Sequence, residues 1–170
     1  MKTVFLLLLP LAFSAAQTQN APPNQYLLRE VGQQLTKLPS ITIFDDVSFR
    51  VEGYKVFLMG QVTKPAVKTD AEKLVKRVEG VEQVIDRIEV LPLSPNDEQI
   101  RHATYFALAG QPQLESYFMQ AWCPVRIIVK NGNVTLEGVV SNQADSDLMR
   151  LTAGAIPGIF SFTSKVEVAK

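Results

Sequence analysis

The stretch Val129–Val140 reads VKNGNVTLEGVV, with apolar residues alternating on either side of Asn131-Gly132. That pair suits a two-residue type I′ turn between antiparallel strands. An earlier stretch, Val51–Val62, reads VEGYKVFLMGQV and repeats the pattern around Gly53-Tyr54, where a leading glycine suits type II′. Gly60 and Gly138 lie 78 positions apart, and the same offset holds without a gap from Val47/Val125 to Val90/Val168. Val51/Val129, Val56/Val134, Leu58/Leu136, Val62/Val140, Ala66/Ala144, Gly80/Gly158 and Glu89/Glu167 are identical, and apolar character persists at Phe49/Ile127, Val81/Ile159 and Ile88/Val166. A register kept this long is an internal duplication.

Within each copy the period of the apolar residues changes along the chain, and the period assigns the elements. Val47, Phe49 and Val51, then Val56, Leu58, Gly60 and Val62, alternate as strands do. After Val62 the spacing turns helical: Val67, Ala71, Leu74, Val75 and Val78 share one side, with Thr69, Lys73, Lys76 and Arg77 opposite. Gly80 and Gly158 then stand where a helix C′ glycine belongs, and Val84–Val90 returns to alternation as a last strand. Upstream of each hairpin lies a further helix, Tyr26–Leu38 in the first copy and Asp97–Ala109 in the second, the latter with Asn96 as its N-cap. The fold predicted is α+β: two tandem α-β-β-α-β units, each a three-stranded mixed sheet with two helices on one face, because a strand-helix-strand crossover is parallel. Residues 24–91 make the first unit, the proline-bearing stretch 92–96 a short stiff linker, and 97–170 the second unit. Gly60 and Gly138 fall on the inward side of their strands, where a glycine admits a close helix or marks a bulge.

The bulk numbers exclude several roles. Of 170 residues, 17 are basic and 17 acidic, and this balance argues against broad electrostatic capture of nucleic acid while leaving room for a weaker, local charge effect. The opening MKTVFLLLLPLAFSAA has Lys2 ahead of an apolar run from Val4 to Phe13 and small residues at Ser14 and Ala16, the pattern of a secretory signal peptide over residues 1–16. The run is too short to span a bilayer comfortably, so the mature chain is expected to be exported and soluble, periplasmic or secreted. Cys123 is the only cysteine and His102 the only histidine. No intrachain disulfide can form, and a histidine-based metal site would need carboxylates or a second subunit to complete it. No phosphate-cradling glycine loop or nucleophile elbow occurs, and no catalytic residue, metal or cofactor is assigned.

The core pattern reads Phe49, Val51, Val56, Leu58, Gly60, Val62, Gly80 and Val81 in the first copy. In the second it reads Ile127, Val129, Val134, Leu136, Gly138, Val140, Gly158 and Ile159. With the order helix-strand-strand-helix-strand, it resembles the BON domain (bacterial OsmY and nodulation) over nearly all of the mature chain. The resemblance implies a non-enzymatic, often periplasmic protein tied to envelope integrity or osmotic stress, binding phospholipid or other envelope proteins. The second copy departs from the pattern: Gly154 weakens its helix, Pro157 cuts that helix short, and the longer stretch GQPQLESYFMQAWCP precedes its hairpin.

That extra stretch gathers Leu114, Tyr117, Phe118, Met119 and Trp122. Large side chains of this kind suit a lipid or partner-binding surface, and they equally suit closing the core of a small domain. Phe57, Met59, Ile128 and Val139 mark the outward side of the strands, a second apolar face that the other unit or a homo-oligomer could cover. Lys64, Lys68, Lys73, Lys76 and Arg77 cluster beside one helix, interleaved with Asp70, Glu72 and Glu79, and read more readily as a self-paired solvated face than as an anionic-lipid site. The leading reading is an envelope binding module working through the aromatic segment. The alternative is a structural, oligomerising scaffold using the open sheet faces.

Overall fold

The computed structural model describes residues 23–120 and 123–169. The expected signal peptide, Ala121 and Trp122 lie outside the described residues. In chain order the elements are α1 (Pro23–Leu35), β1 (Asp46–Glu52), β2 (Lys55–Val62), α2 (Pro65–Lys76), β3 (Gln83–Asp86), β4 (Glu89–Val90), α3 (Pro95–Ala109), α4 (Glu115–Phe118), β5 (Val125–Lys130), β6 (Asn133–Val140), α5 (Gln143–Gly154) and β7 (Ser161–Val168). Two α+β units result, each with a mixed sheet. β1 runs antiparallel to β2, and β3 and β4 lie parallel to β2. β5 runs antiparallel to β6, and β7 lies parallel to it.

The duplication is visible in the element bounds, since β2 and β6, and likewise α2 and α5, are separated by the repeat offset at both ends. The turns carry the expected backbone: Asn131 (φ 51°) and Gly132 (φ 75°) are both positive, as type I′ requires, whereas Gly53 (φ 60°) alone is positive in its turn. In the first unit Leu27, Val31 and Leu35 of α1 and Val67, Ala71 and Val75 of α2 bury one side of β2 at Val56, Leu58 and Val62. Each of the leucine and valine side chains, fully withdrawn from water, contributes about 1.5–3 kcal/mol before entropy is counted. Ile100, Leu108, Met149 and Ala153 cover Ile127, Val129, Val134 and Leu136 in the same way in the second. Both helices of each unit therefore share one sheet face.

Several local expectations need correction. Gly60 (φ 119°) and Gly138 (φ 145°) do not admit a helix. A Cβ at Gly60 would collide with the Asp46 carbonyl, and one at Gly138 with the Pro124 carbonyl, so each glycine lets the first strand of its own sheet enter at close range. Gly80 is not the C′ residue, because α2 ends at Lys76 with Arg77 as its C-cap; its φ of 87° serves the following turn, as does the 84° of Gly158. α3 begins at Pro95, inside the stretch read as linker, and its N-cap is Ser94 rather than Asn96. The Ser94 hydroxyl accepts from the Asp97 N–H at 3.1 Å, with proline at the first position where its missing N–H costs nothing. Pro157 does not shorten α5, which ends at Gly154 with Ala155 as its C-cap, before the proline ring can interfere. α1 starts earlier than expected, at Pro23, and stops at Leu35.

The last strand of the first unit is broken where that of the second is continuous. The Ile88 N–H donates to Asp86 Oδ1 at 2.8 Å, turning the Ile88 side chain into the core, and Lys68 Nζ donates to the Ile88 carbonyl. At the corresponding positions the second unit carries Ser146 for Lys68 and Ser164 for Asp86, and β7 runs unbroken.

Candidate binding groove between the units

The approach to β1 carries an apolar run that periodicity alone does not assign: Ile41, Thr42, Ile43, Phe44. Asp45 holds its end. Buried completely, this carboxylate accepts from the N–H and hydroxyl of Thr42 (2.8 and 2.7 Å) and from the N–H and hydroxyl of Thr63 (2.6 and 2.8 Å). Four bonds satisfy a buried charge that would otherwise be costly. So fixed, the run crosses to the second unit. The Ile127 N–H donates to the Ile43 carbonyl at 2.9 Å on the free edge of β5, and Ile43 and Phe44 pack on the second unit's core.

Phe44 stands edge-on to His102 (centroids 5.5 Å) and Tyr105 (6.4 Å). Tyr105 in turn meets Phe106 (5.4 Å) and Phe118 (6.0 Å), and His102 stacks on Phe106. These rings, with Gln120, Cys123 and Arg126, line a groove of about 460 Å³. Phe106 is 67% exposed and Met119, next to the lining residues Phe118 and Gln120, is 76% exposed.

The structure divides the aromatic segment. Leu114 and Tyr117 are buried in the second core, where the Tyr117 hydroxyl donates to Asp145 Oδ2 at 2.6 Å and accepts from the Ser141 N–H at 2.9 Å. These two close the domain and offer no contact surface. Phe118 is half-buried in the ring cluster, Met119 faces outward, and Trp122 lies outside the described residues. Tyr105, Phe106 and the Ile41–Phe44 run were missed by sequence reasoning. The signal for the first two was faint, because α3 reads as an ordinary amphipathic helix until its Tyr-Phe pair is seen against Phe118.

Burial pushes the Cys123 thiol up, against smaller downward pulls from a backbone hydrogen bond at Val125 and from Arg126, and its one S–H is shared between the carbonyls of Tyr117 (3.0 Å) and Val125 (3.2 Å). His102 Nε2 lies 3.0 Å from Glu98 Oε1, and the hydrogen bond from Arg101 holds the Glu98 carboxyl below its usual range. Burial lowers Arg126, with the nearby carboxylates of Asp45 and Asp46 opposing it. Among the described residues no cluster of three or more histidine, cysteine, aspartate or glutamate side chains could hold a metal.

The outward sheet faces are largely closed. Phe57 is 8% exposed, with the guanidinium groups of Arg50 and Arg87 set over its ring at 4.9 and 5.5 Å. Ile128 is 3% exposed. It shares its face of β5 with Arg126, which reaches the Thr42 carbonyl, and with Lys130, which pairs with Glu89 of the first unit at 2.6 Å. Met59 is half-buried and Val139 exposed. The basic residues of α2 are self-paired, Lys76 with Glu72 at 2.6 Å and Lys73 with Asp70 at 3.6 Å.

Two α-β-β-α-β modules joined in tandem, each with a glycine at the strand crossing, define the class. The BON domain matches over residues 25–92 and again over 96–170, and the chain belongs to that family. It is a family of non-catalytic, envelope-associated binding modules. No curated protein matches the chain. Among solved structures it is similar to CdsD, a structural protein of the type III secretion system of Chlamydia trachomatis, at 14% identity over 84% of this chain and 92% of that one, with a TM-score of 0.30. The C-terminal domain of CdsD aligns at 15% identity over 85% and 98%, also with a TM-score of 0.30. No described helix is long and apolar enough to cross a membrane.

Proposed function

We propose that the chain is an exported, non-enzymatic binding module that lays the aromatic rim of the inter-unit groove on the phospholipid surface of the envelope, in an envelope-integrity or osmotic-stress role. The observation that carries this reading is the outward setting of Phe106 and Met119 beside a ring cluster already anchored in the core. Side chains with large apolar bodies, presented at low entropic cost from a rigid base, partition into the headgroup region of a bilayer. The α2 lysines, tied up in ion pairs, are secondary.

Flotation with vesicles of phosphatidylethanolamine and phosphatidylglycerol tests it. The wild-type chain is expected to float, and Phe106→Ala combined with Met119→Ala to lose about tenfold in partitioning while keeping its circular dichroism spectrum. Phe118→Ala combined with Trp122→Ala should behave alike. A wild-type chain that never floats removes the lipid reading and leaves an envelope protein as the occupant of the rim.

A further inference from the structure

The two copies differ most where their last strands form a sheet edge. In the first unit that edge is interrupted at Arg87–Ile88, and the space between α2 and β3 holds Lys68, 3.8 Å from Asp86 and bonded to the Ile88 carbonyl. A broken, charge-plugged edge resists pairing with another chain. In the second unit serines replace both charges and β7 is continuous for eight residues. A groove of about 970 Å³ opens between α5 and β7, floored by Phe162, Ser164, Val166 and Val168, each only half-buried, and overhung by Leu151, which is 74% exposed. The position equivalent to Leu151 in the first unit is Lys73.

The backbone of β7 is set for pairing. In a parallel ladder alternate residues turn both their N–H and C=O toward the neighbouring strand. The Ala169 N–H donates to the Val140 carbonyl at 2.8 Å, so the odd-numbered residues face β6, and Phe162, Ser164, Val166 and Val168 present theirs to the open side. The face of β7 away from the helices reads Ser161, Thr163, Lys165, Glu167. Turned end for end about Val166, Lys165, which also pairs with Glu137 of β6 in its own chain, falls opposite Glu167 of the other copy, and Glu167 opposite its Lys165. A shift of one position would place Lys165 against Lys165, and the opposite shift Glu167 against Glu167. Charge complementarity therefore selects a second copy and one register.

We propose that β7 pairs antiparallel with β7 of a second copy of this chain across a two-fold axis at Val166, fusing the two second-unit sheets into one and bringing the two α5 helices together over the apolar groove. The proposal does not depend on the groove between the units or on lipid.

Sedimentation velocity on the mature chain without lipid tests it. The wild type is expected to show a concentration-dependent dimer. Glu167→Lys sets lysine against lysine at both symmetry-related places and should weaken dimerisation about tenfold. Adding Lys165→Glu together with Glu137→Lys, which keeps the pair between these neighbouring positions of β6 and β7 with its charges reversed, restores opposite charges across the axis and should restore the dimer, a recovery that a merely damaged fold would not give. Val166→Pro, which removes an outward N–H and spares the ladder to β6, should leave monomer with an unchanged circular dichroism spectrum. A wild type that remains monomeric at millimolar concentration overturns the proposal and leaves the edge to an extended segment of another protein. A dimer indifferent to Glu167→Lys and Val166→Pro overturns it as well.

Discussion

Asp45 and Asp46 are chain neighbours with opposite fates. Asp45 is enclosed, and all its acceptor capacity is used by Thr42 and Thr63. Asp46 is partly enclosed beside Glu137, and burial first, then that like charge, pushes its carboxyl above the usual range; Arg126 and Lys165 pull the other way. A raised folded-state pKa means the native chain holds this proton more tightly than the unfolded chain does. The resulting stability is present below the unfolded value and is lost as pH rises through the folded one. Asp46→Asn, uncharged throughout, should therefore raise the urea midpoint at neutral pH and leave it unchanged in acid. An equal rise at both pH values would trace the effect to packing instead.

At the scale of elements, two side chains of α3 tie it to the second hairpin, Asp97 and Arg101. Asp97 is 1% exposed and its two oxygens accept from the N–H groups of Asn131 (2.8 Å) and Gly132 (2.7 Å), whose type I′ backbone turns both donors toward the helix. Nearby, the buried Arg101 donates to the Val129 carbonyl at 2.8 Å. Asp97→Ala leaves the enclosed Gly132 donor and the part-buried Asn131 donor without partners and should cost about 2 kcal/mol in urea unfolding, with Asp97→Asn costing less because one acceptor remains. Asp97 was legible in the sequence only as a favourable charge in the first turn of a helix. Its actual bond spans 34 and 35 positions, beyond the reach of any local pattern. Alternation and helical spacing, by contrast, are local, which is why the hairpins and the buried stripes of α2 and α5 could be read directly. The break at Arg87–Ile88 hid because Val84 to Val90 alternates well enough for one strand, and it is side-chain bonds, the Ile88 N–H donating to Asp86 and Lys68 donating to the Ile88 carbonyl, that mark the division.

At the scale of the whole molecule, each unit keeps its own core, and the exception is the passage of Ile43 and Phe44 into the second. Phe44→Ala should lower the stability of the second unit by about 2 kcal/mol, less than full truncation of a wholly buried ring because this one is half-exposed. It should also speed hydrogen exchange at the Ile127 amide, which the Ile43 carbonyl now protects, with little change at the β2 amides. Matching losses in both units would mean that the cores unfold as one. The groove itself was not legible from either copy alone, since its walls come from residues far apart in the chain: Ile41 to Phe44, α3, and the segment around Phe118.

The docked run also imposes a sequence of events. β5 begins with a bare outer edge, and the strand-like cover it needs is made by residues synthesised some eighty positions earlier. A chain made N-terminus first has that cover in place before the second hairpin exists. A fragment holding only the later repeat would meet water with an unguarded edge and an unroofed cluster of rings, the combination from which intermolecular sheets nucleate.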